Sequence, residues 1–297
     1  MILGPVMIAA LIAVLWGDDR LAQVDPNGRP GVLVFGVLMV LMAQAGHELR
    51  TLLKAGGYRP GDLWSDLWMM TAAALLVALP GLINIFIETT EQNPATVDYQ
   101  ITPLLIVVGM IGSFVSLMRR REAKGAIGHL STSMFFIVYL GLLPSFILRI
   151  AIWAPTGGAW LLLYFIGTVK FCDIGAYFTG RYLGRHKLIA WLSPKKTIEG
   201  LAGGIVSSIV VAIVVPPLVR WLGPESLHDV FPGWQTAAMF GFFMAVFGQA
   251  GDLLASLIKR DAGAKDSANA VPGFGGVLDI LDSLLPTAPI AFWLLVK

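Results

Sequence analysis

Three carboxylates near the end of this apolar chain have the spacing of a cation site. Asp279 and Asp282 are three residues apart, so on a helix they face the same way, and Asp252 lies in the preceding apolar segment. A charge inside a bilayer costs at least about 2.5 to 3.5 kcal/mol, which makes such residues candidates for function. A few carboxylates combined with water and phosphate oxygens suit Mg²⁺. The alternatives are a polar helix-packing network and an ion pathway.

A second polar group precedes a predicted helix that begins near residue 198. It consists of Ser193, Pro194, Lys195, Lys196, Thr197 and Glu199. The free N–H groups of a helix N-terminus favour anions, so hydroxyls and ammonium groups placed there predict a phosphate cradle. A helix cap with a basic loop facing anionic lipid headgroups is an equally simple interpretation. Gly200, Gly203 and Gly204 follow, and small residues of this kind let membrane helices pack closely without any ligand.

Other polar residues are interpreted as structural at this point. Asp173 lies midway along an apolar run, and Lys170 lies one turn before it, which predicts a local ion pair. Glu48 ends a predicted span, where a solvated helix end is the simpler expectation. His129, His186 and His228 fall in predicted loops without spaced metal partners, so we expect them to be solvated and exclude a zinc site.

The composition is that of an integral membrane protein. Of the 297 residues, 56% are hydrophobic and only 13% are charged, against about 25% charged in an average soluble domain. Nothing indicates a soluble domain or nucleic-acid binding, and we treat residues 1–297 as one multi-pass membrane domain. The single cysteine, Cys172, excludes an internal disulfide and a cysteine metal cluster.

The fold class predicted from these features is all-α, with about nine transmembrane helices. The first apolar run lacks a basic n-region and a clear cleavage site, so we expect a retained helix rather than a signal peptide. Re-entrant segments are the alternative for some of the runs. The predicted spans are residues 1–16, 32–49, 66–88, 101–118, 132–153, 160–180, 198–220, 236–258 and 276–296.

The basic residues predict the orientation of these spans. Loops on one side hold 15 of the 21 Lys and Arg residues, and the other side holds five. By the positive-inside rule the first set of loops is cytoplasmic, which places both polar groups at the cytoplasmic face of the cell (inner) membrane. The basic loops comprise Arg50, Lys54, Arg59, Arg119, Arg120, Arg121, Lys124, Arg181, Arg185, Lys187, Lys195, Lys196, Lys259, Arg260 and Lys265.

Residues 160–297 resemble the phosphatidate cytidylyltransferases, also called CDP-diacylglycerol synthases. The family pattern S-x-x-K-R-x4-K-D, followed by P-G-H-G-G-x-x-D-R-x-D, is similar to residues 256–282. The upstream patterns D-x-x-A-Y-x-x-G-R-x-x-G-R and S-P-x-K-T-x-E-G are similar to residues 173–185 and 193–200. The matching positions are Asp173, Ala176, Tyr177, Gly180, Arg181, Gly184, Arg185, Ser193, Pro194, Lys196, Thr197, Glu199, Gly200, Ser256, Lys259, Arg260, Lys265, Asp266, Pro272, Gly273, Gly275, Gly276, Asp279 and Asp282.

Two positions depart from the family pattern. Phe274 stands where the family has His, and Ile280 stands where it has Arg. The phosphate monoester nucleophile is largely dianionic at neutral pH, so losing the His need not abolish the reaction. Losing the Arg removes a cation from a reaction that depends on neutralising phosphate charge. We hypothesise that Lys170 supplies this charge; a local pair between Lys170 and Asp173 is the competing interpretation.

The resemblance implies an enzyme that converts phosphatidate and CTP to CDP-diacylglycerol and pyrophosphate, with Mg²⁺ and with a second cation left open. It implies four catalytic residues, of which Asp252, Asp279 and Asp282 bind the metal and Asp173 lines the cleft. The partners are CTP and lipids of the bilayer, and a homodimer is left open. The residues expected to bind substrate are Ser193, Lys195, Lys196, Thr197, Ser256, Lys259, Arg260, Lys265 and Asp266.

Three other functions are compatible with the sequence. The enzyme could use a different lipid phosphate or a polyprenol, because both departures lie beside the reacting groups. An inactive paralogue would bind metal and CTP without turnover. A cation- or proton-coupled transporter would use the buried acids as a pathway, although no inverted repeat is visible.

Overall fold

The computed structural model describes residues 3–24, 30–58, 63–86, 94–119, 121, 123–154, 157–222, 225–268 and 275–296. Within these residues the chain forms eleven α-helices, which confirms the all-α prediction. They are α1 (Leu3–Val24), α2 (Val32–Ala55), α3 (Leu63–Phe86), α4 (Pro94–Arg119), α5 (Ala126–Ile137), α6 (Leu143–Trp153), α7 (Gly158–Tyr182), α8 (Ile198–Leu222), α9 (Trp234–Asp261), α10 (Val277–Leu281) and α11 (Leu284–Leu295).

Eight helical stretches are long and apolar enough to cross a membrane, which confirms the prediction of a polytopic membrane protein. One stretch joins α5 to α6 (Ala126–Trp153), and another joins α10 to α11 (Val277–Leu295). The predicted first span, residues 1–16, corresponds to α1, which is not among the eight when only the described residues are considered. The bundle surrounds one large apolar core, to which most helices contribute.

The join between α5 and α6 is a π-helical segment, Val138–Leu142. The N–H of Leu143 donates to the carbonyl of Val138, five residues back. Pro144 is the second residue of α6 and has no N–H to continue the regular ladder, which favours such a local widening. Single π turns of this type are often found at functional sites.

Helices α7 and α8 pack closely because glycines face side chains across the interface. A Cβ atom on Gly175 would collide with Ser207, and one on Gly203 would collide with Thr179. This agrees with the interpretation of the glycines as packing residues. The close approach brings the Asp173 turn of α7 beside the start of α8.

A short antiparallel hairpin interrupts the helical fold between α7 and α8. Strand β1 (Lys187–Ile189) pairs with β2 (Ser193–Thr197), with Lys187 opposite Thr197. The sequence analysis expected only a loop here, since strands of three and five residues give too little alternation to recognise. The predicted phosphate cradle therefore begins as an extended strand, β2, whose last residue, Thr197, lies against Gly180 of α7.

Candidate active site

A polar pocket of about 310 Å³ lies between α7, β2, α8 and α9. Its lining includes Asp173, Lys195, Lys196, Thr197 and Asp252, five residues that the sequence analysis had assigned to a site. The Nζ atom of Lys196 lies 2.7 Å from Oδ2 of Asp252. The fold therefore joins the basic loop to the carboxylate-bearing helix α9 in one pocket.

Asp173 has two partners in this pocket. Gln249 of α9 donates from Nε2 to Oδ1 of Asp173 at 3.2 Å, and Lys170 Nζ lies 3.6 Å from Oδ2. The predicted local pair between Lys170 and Asp173 is thus present. Sequence reasoning missed Gln249, whose signal was a polar residue three positions before Asp252 in an apolar run.

Lys170 also reaches the turn between α10 and α11. Its Nζ donates to the backbone carbonyl of Ile280 and to Oγ of Ser283, both at 3.0 Å. Its ammonium group therefore lies beside the position where the resemblance lacks a cation. Both interpretations of Lys170 fit this geometry, so its functional role stays a prediction.

The carboxylate of Asp279 is fully engaged by protein donors. Oδ1 lies 2.6 Å from Lys259 Nζ, and Oδ2 accepts the backbone N–H groups of Ser267 and Gly276, both at 2.9 Å. Asp279 belongs to the first turn of α10, so its bond to Gly276 caps that helix. As it stands, this carboxylate fixes the loop and Lys259 to α10.

Asp282 lies in a different environment. Its side chain is buried, with Oδ1 accepting the N–H of Ser283 at 2.6 Å, and within the described chain no cationic group lies within 4 Å of it. Gly251 of α9 packs directly against the Asp282 carbonyl, so the charges of Asp252 and Asp282 act on each other. A nearby like charge disfavours the ionised form of a carboxylate, and a bound cation would relieve that repulsion.

The donor chemistry around Asp252 and Asp282 fits Mg²⁺, which commonly takes one or two carboxylates and leaves its other positions to water and phosphate. Within the described residues, however, no three His, Cys, Asp or Glu side chains are arranged to hold a metal ion. Asp279 could join such a site only by giving up donors that it now accepts.

The remaining predicted residues surround this region. Thr197 Oγ1 accepts the N–H of Gly200 at 3.0 Å, so for this residue the helix-cap interpretation holds. Ser256 is half-buried one turn after Asp252 on α9, and Ser193 is half-buried in β2. The exposed members are Lys195, Arg260, Lys265 and Asp266. Pro272, Gly273 and Phe274 lie outside the described residues.

Glu48 was expected to be solvated, and that expectation is wrong. Its side chain is 1% exposed and lies at the start of α10, where Oε1 accepts the N–H of Val277 and Oε2 accepts that of Leu278, both at 2.9 Å. These backbone groups are the free donors of a helix N-terminus, which a carboxylate satisfies well. Helix α2 is thereby attached to α10 and the turn that follows it, the segment that carries Asp279 and Asp282.

Ser267 links Glu48 to Asp279. Its hydroxyl oxygen lies 2.9 Å from Glu48 Oε2 and 3.0 Å from Asp279 Oδ2, so it can donate its proton to either. This buried serine was missed because it falls outside the resembling pattern. The only signal was its place directly after Asp266 in the charged loop.

The expectation of solvated histidines is wrong for His129, and it is wrong in part for His228, which is half-buried with its Nε2 atom enclosed. His129 is buried, and its Nε2 lies 3.3 Å from Ser65 Oγ. His186 is exposed as expected, and it pairs with Glu199 at 2.6 Å.

A family model described as "Cytidylyltransferase family" matches residues 28–297. This chain belongs to the cytidylyltransferase family. The match confirms the resemblance inferred from the motifs and extends it into the N-terminal half, where only hydropathy had been similar.

Curated relatives agree with this family membership. A phosphatidate cytidylyltransferase of Synechocystis is 30% identical, with the alignment covering 77% of this chain and 89% of the relative. One of Bacillus subtilis is 31% identical over 74% of this chain and 80% of its own length. The uncharacterized protein YnbB of Escherichia coli is 37% identical, over 46% of this chain and 43% of its own.

Proposed function

We propose that this protein transfers the cytidylyl group of CTP to phosphatidate, giving CDP-diacylglycerol and pyrophosphate. The observation that carries the proposal is the pocket in which Lys195, Lys196 and Thr197 meet Asp173 and Asp252, in a chain of the cytidylyltransferase family. The phosphatidate oxygen attacks the α-phosphorus of CTP, and the bond from that phosphorus to the departing pyrophosphate breaks. The monoester is largely dianionic at neutral pH, so no general base is required.

Each part of the site has a task in this reaction. Lys195 and Lys196 pair with phosphate oxygens, and Lys196 can do so by exchanging its contact with Asp252. Lys259, Arg260 and Lys265 form a second basic set at the end of α9 and in the loop beyond it. Ser193 and Ser256 are the candidate hydroxyl donors. Because phosphoryl-group transfer depends mainly on positioning and charge, such an arrangement supplies the main requirements.

We propose that Asp252 and Asp282 hold Mg²⁺, with Asp279 either completing the set or fixing Lys259. When bound, Mg²⁺ would neutralise the charge of the CTP phosphates. The buried carboxylate of Asp282, which forms no ion pair among the described residues, supports this assignment because burying a charge without a counter-ion is otherwise costly. A second cation and a homodimer stay proposals without a supporting contact.

The lipid substrate would enter from the bilayer. An open, mostly apolar groove lies on the outer face of α7 and α8, beside the polar pocket, and its lining includes Phe178, Leu183 and Val206. Acyl chains can occupy such a surface while the phosphate turns into the pocket. With the basic loops inside, the site faces the cytoplasm of the inner membrane, where CTP is available.

The proposed reaction is tested with purified protein, phosphatidate in mixed micelles, CTP and Mg²⁺. We expect pyrophosphate release that requires all three and equals the CDP-diacylglycerol formed. Release that needs another lipid phosphate would indicate the alternative substrate, and binding of CTP without turnover would indicate an inactive paralogue.

Replacing Asp282 by Asn tests the metal assignment. We expect Asp282→Asn to lower kcat/KM by at least about 100-fold, because a carboxylate facing the metal is lost. The matched control is Asp261→Asn at the exposed end of α9, where Asp261 accepts a hydrogen bond from Tyr58 and thereby raises the pKa of that tyrosine. Wild-type activity in Asp282→Asn would contradict the assignment.

A further inference from the structure

The hydroxyl of Tyr139 is buried and has no hydrogen-bond partner within the described part of the chain. The residue is 1% exposed and lies in the π-helical segment that joins α5 to α6. One face of its ring stacks on Phe135, with centroids 5.1 Å apart. A phenylalanine would make the same apolar contacts without burying an unpaired polar group.

The π-helical segment that carries this hydroxyl packs against α2, α3 and α11, and α11 begins two residues after Asp282. The carboxylates of Asp252, Asp279 and Asp282 are within electrostatic range of it. None of these carboxylates is close enough to accept its proton directly. The hydroxyl is therefore a buried donor on a segment that packs beside the helix following Asp282, and it has no acceptor within the described residues.

Buried hydroxyls are nearly always hydrogen-bonded, and an exception calls for an explanation. A group that occupies the site in the working enzyme supplies one. Substrate phosphates carry several strong acceptor oxygens, and they must come close to the carboxylates if these bind the metal that neutralises the phosphates. The position in a π turn agrees with this, because single π turns within α-helices are frequently found at functional sites.

We infer that Tyr139 contacts the substrate, donating its hydroxyl proton to a phosphate oxygen bound at the carboxylate cluster. This inference rests on the proposed function and adds to it a residue from the N-terminal half, far in sequence from the motifs. The acceptor is a phosphate oxygen of either the lipid or CTP.

The test is Tyr139→Phe, which removes one oxygen atom. We expect kcat/KM to fall by about 10- to 100-fold, as for the loss of one hydrogen bond to a charged oxygen. We also expect the thermal midpoint of the ligand-free protein to stay level or rise, because an unpaired buried hydroxyl has been removed. A residue with a merely structural role would not combine lower activity with undiminished stability.

Tyr164→Phe is the matched control. Tyr164 is also buried, but its hydroxyl donates to the carbonyl of Ala212 at 2.8 Å. We expect this variant to lose thermal stability and to keep kcat/KM, the opposite of Tyr139→Phe.

Thermal stabilisation by CTP alone and by phosphatidate micelles alone distinguishes the two phosphate sources. A smaller stabilisation of Tyr139→Phe by one of them assigns the contact to that substrate. If the wild type is active and Tyr139→Phe matches it in kcat/KM and in both ligand-induced shifts, the inference is wrong. If the wild type neither turns over nor is stabilised by CTP or phosphatidate, the proposed function is wrong, and the inference about Tyr139 is wrong with it.

Discussion

Lys170 is the residue whose position says most about how this chain differs from the family pattern. Its ammonium group has three N–H donors, and three acceptors surround it: the Ile280 carbonyl, the Ser283 hydroxyl and the Asp173 carboxylate. A lysine within a predicted span needs a strong reason to be there. These contacts tie α7 to the turn that carries Asp282.

The prediction at the residue scale concerns the charge of Lys170. We expect Lys170→Met to lower kcat/KM by at least about tenfold, because a positive charge beside the phosphates would be lost. Adding Ile280→Arg should restore part of the activity. Lys187→Met, at an exposed position of β1, is the control and should be neutral. Full activity in Lys170→Met, with no effect of Ile280→Arg, would leave Lys170 as a local partner of Asp173 only.

At the scale of elements, carboxylates from neighbouring helices repeatedly satisfy helix N-termini. Asp18 of α1 accepts the N–H groups of Gly31 and Leu33, both at 2.7 Å, where α2 begins. Glu48 of α2 does the same for α10. The two junctions are alike in chemistry, but only the second adjoins the candidate site.

This likeness gives a matched pair of variants. We expect Glu48→Gln to lower the free energy of unfolding by about 1 to 3 kcal/mol, because the amide cannot accept at both ends. It should also lower kcat per folded protein. Glu48 positions the Ser267 hydroxyl, which in turn contacts the Asp279 carboxylate, and the substitution weakens the first of these contacts. Asp18→Asn should lose similar stability and keep its activity. Equal behaviour of the two variants in both assays would show that Glu48 acts only on stability.

The sequence predicted those elements and residues whose signal is local. Apolar runs marked the spans, and charges inside them marked Asp173, Asp252 and Asp282. The burial of Glu48 could not be predicted this way, because its partner Ser267 is 219 positions away in the chain. The π segment and the hairpin were not predicted for a related reason. Each depends on packing against other helices, and each is too short to form a periodic pattern.

At the scale of the whole molecule, residues of two basic loops adjoin the candidate site, because Lys196 pairs with Asp252 and Lys259 pairs with Asp279. The hairpin that carries Lys187, Lys195 and Lys196 precedes α8, and Trp221 lies at the far end of that helix. A helix of this length, 25 residues, spans a hydrocarbon core of about 30 Å. Lys187 and Trp221 must therefore be on opposite sides of the membrane if α8 crosses it.

Cysteine labelling tests this orientation with little background, because the single native cysteine, Cys172, is 2% exposed. Trp221 is 80% exposed. We expect Trp221→Cys to react with a membrane-impermeant maleimide in cells whose outer membrane has been permeabilised. Lys187→Cys should react only when the inner membrane is also permeabilised, since the positive-inside rule predicts that its loop is cytoplasmic. The reverse pattern would place the pocket outside, away from CTP, and would contradict both the orientation and the proposed reaction. Labelling of both positions in intact inner membranes would instead show that α8 does not span the bilayer.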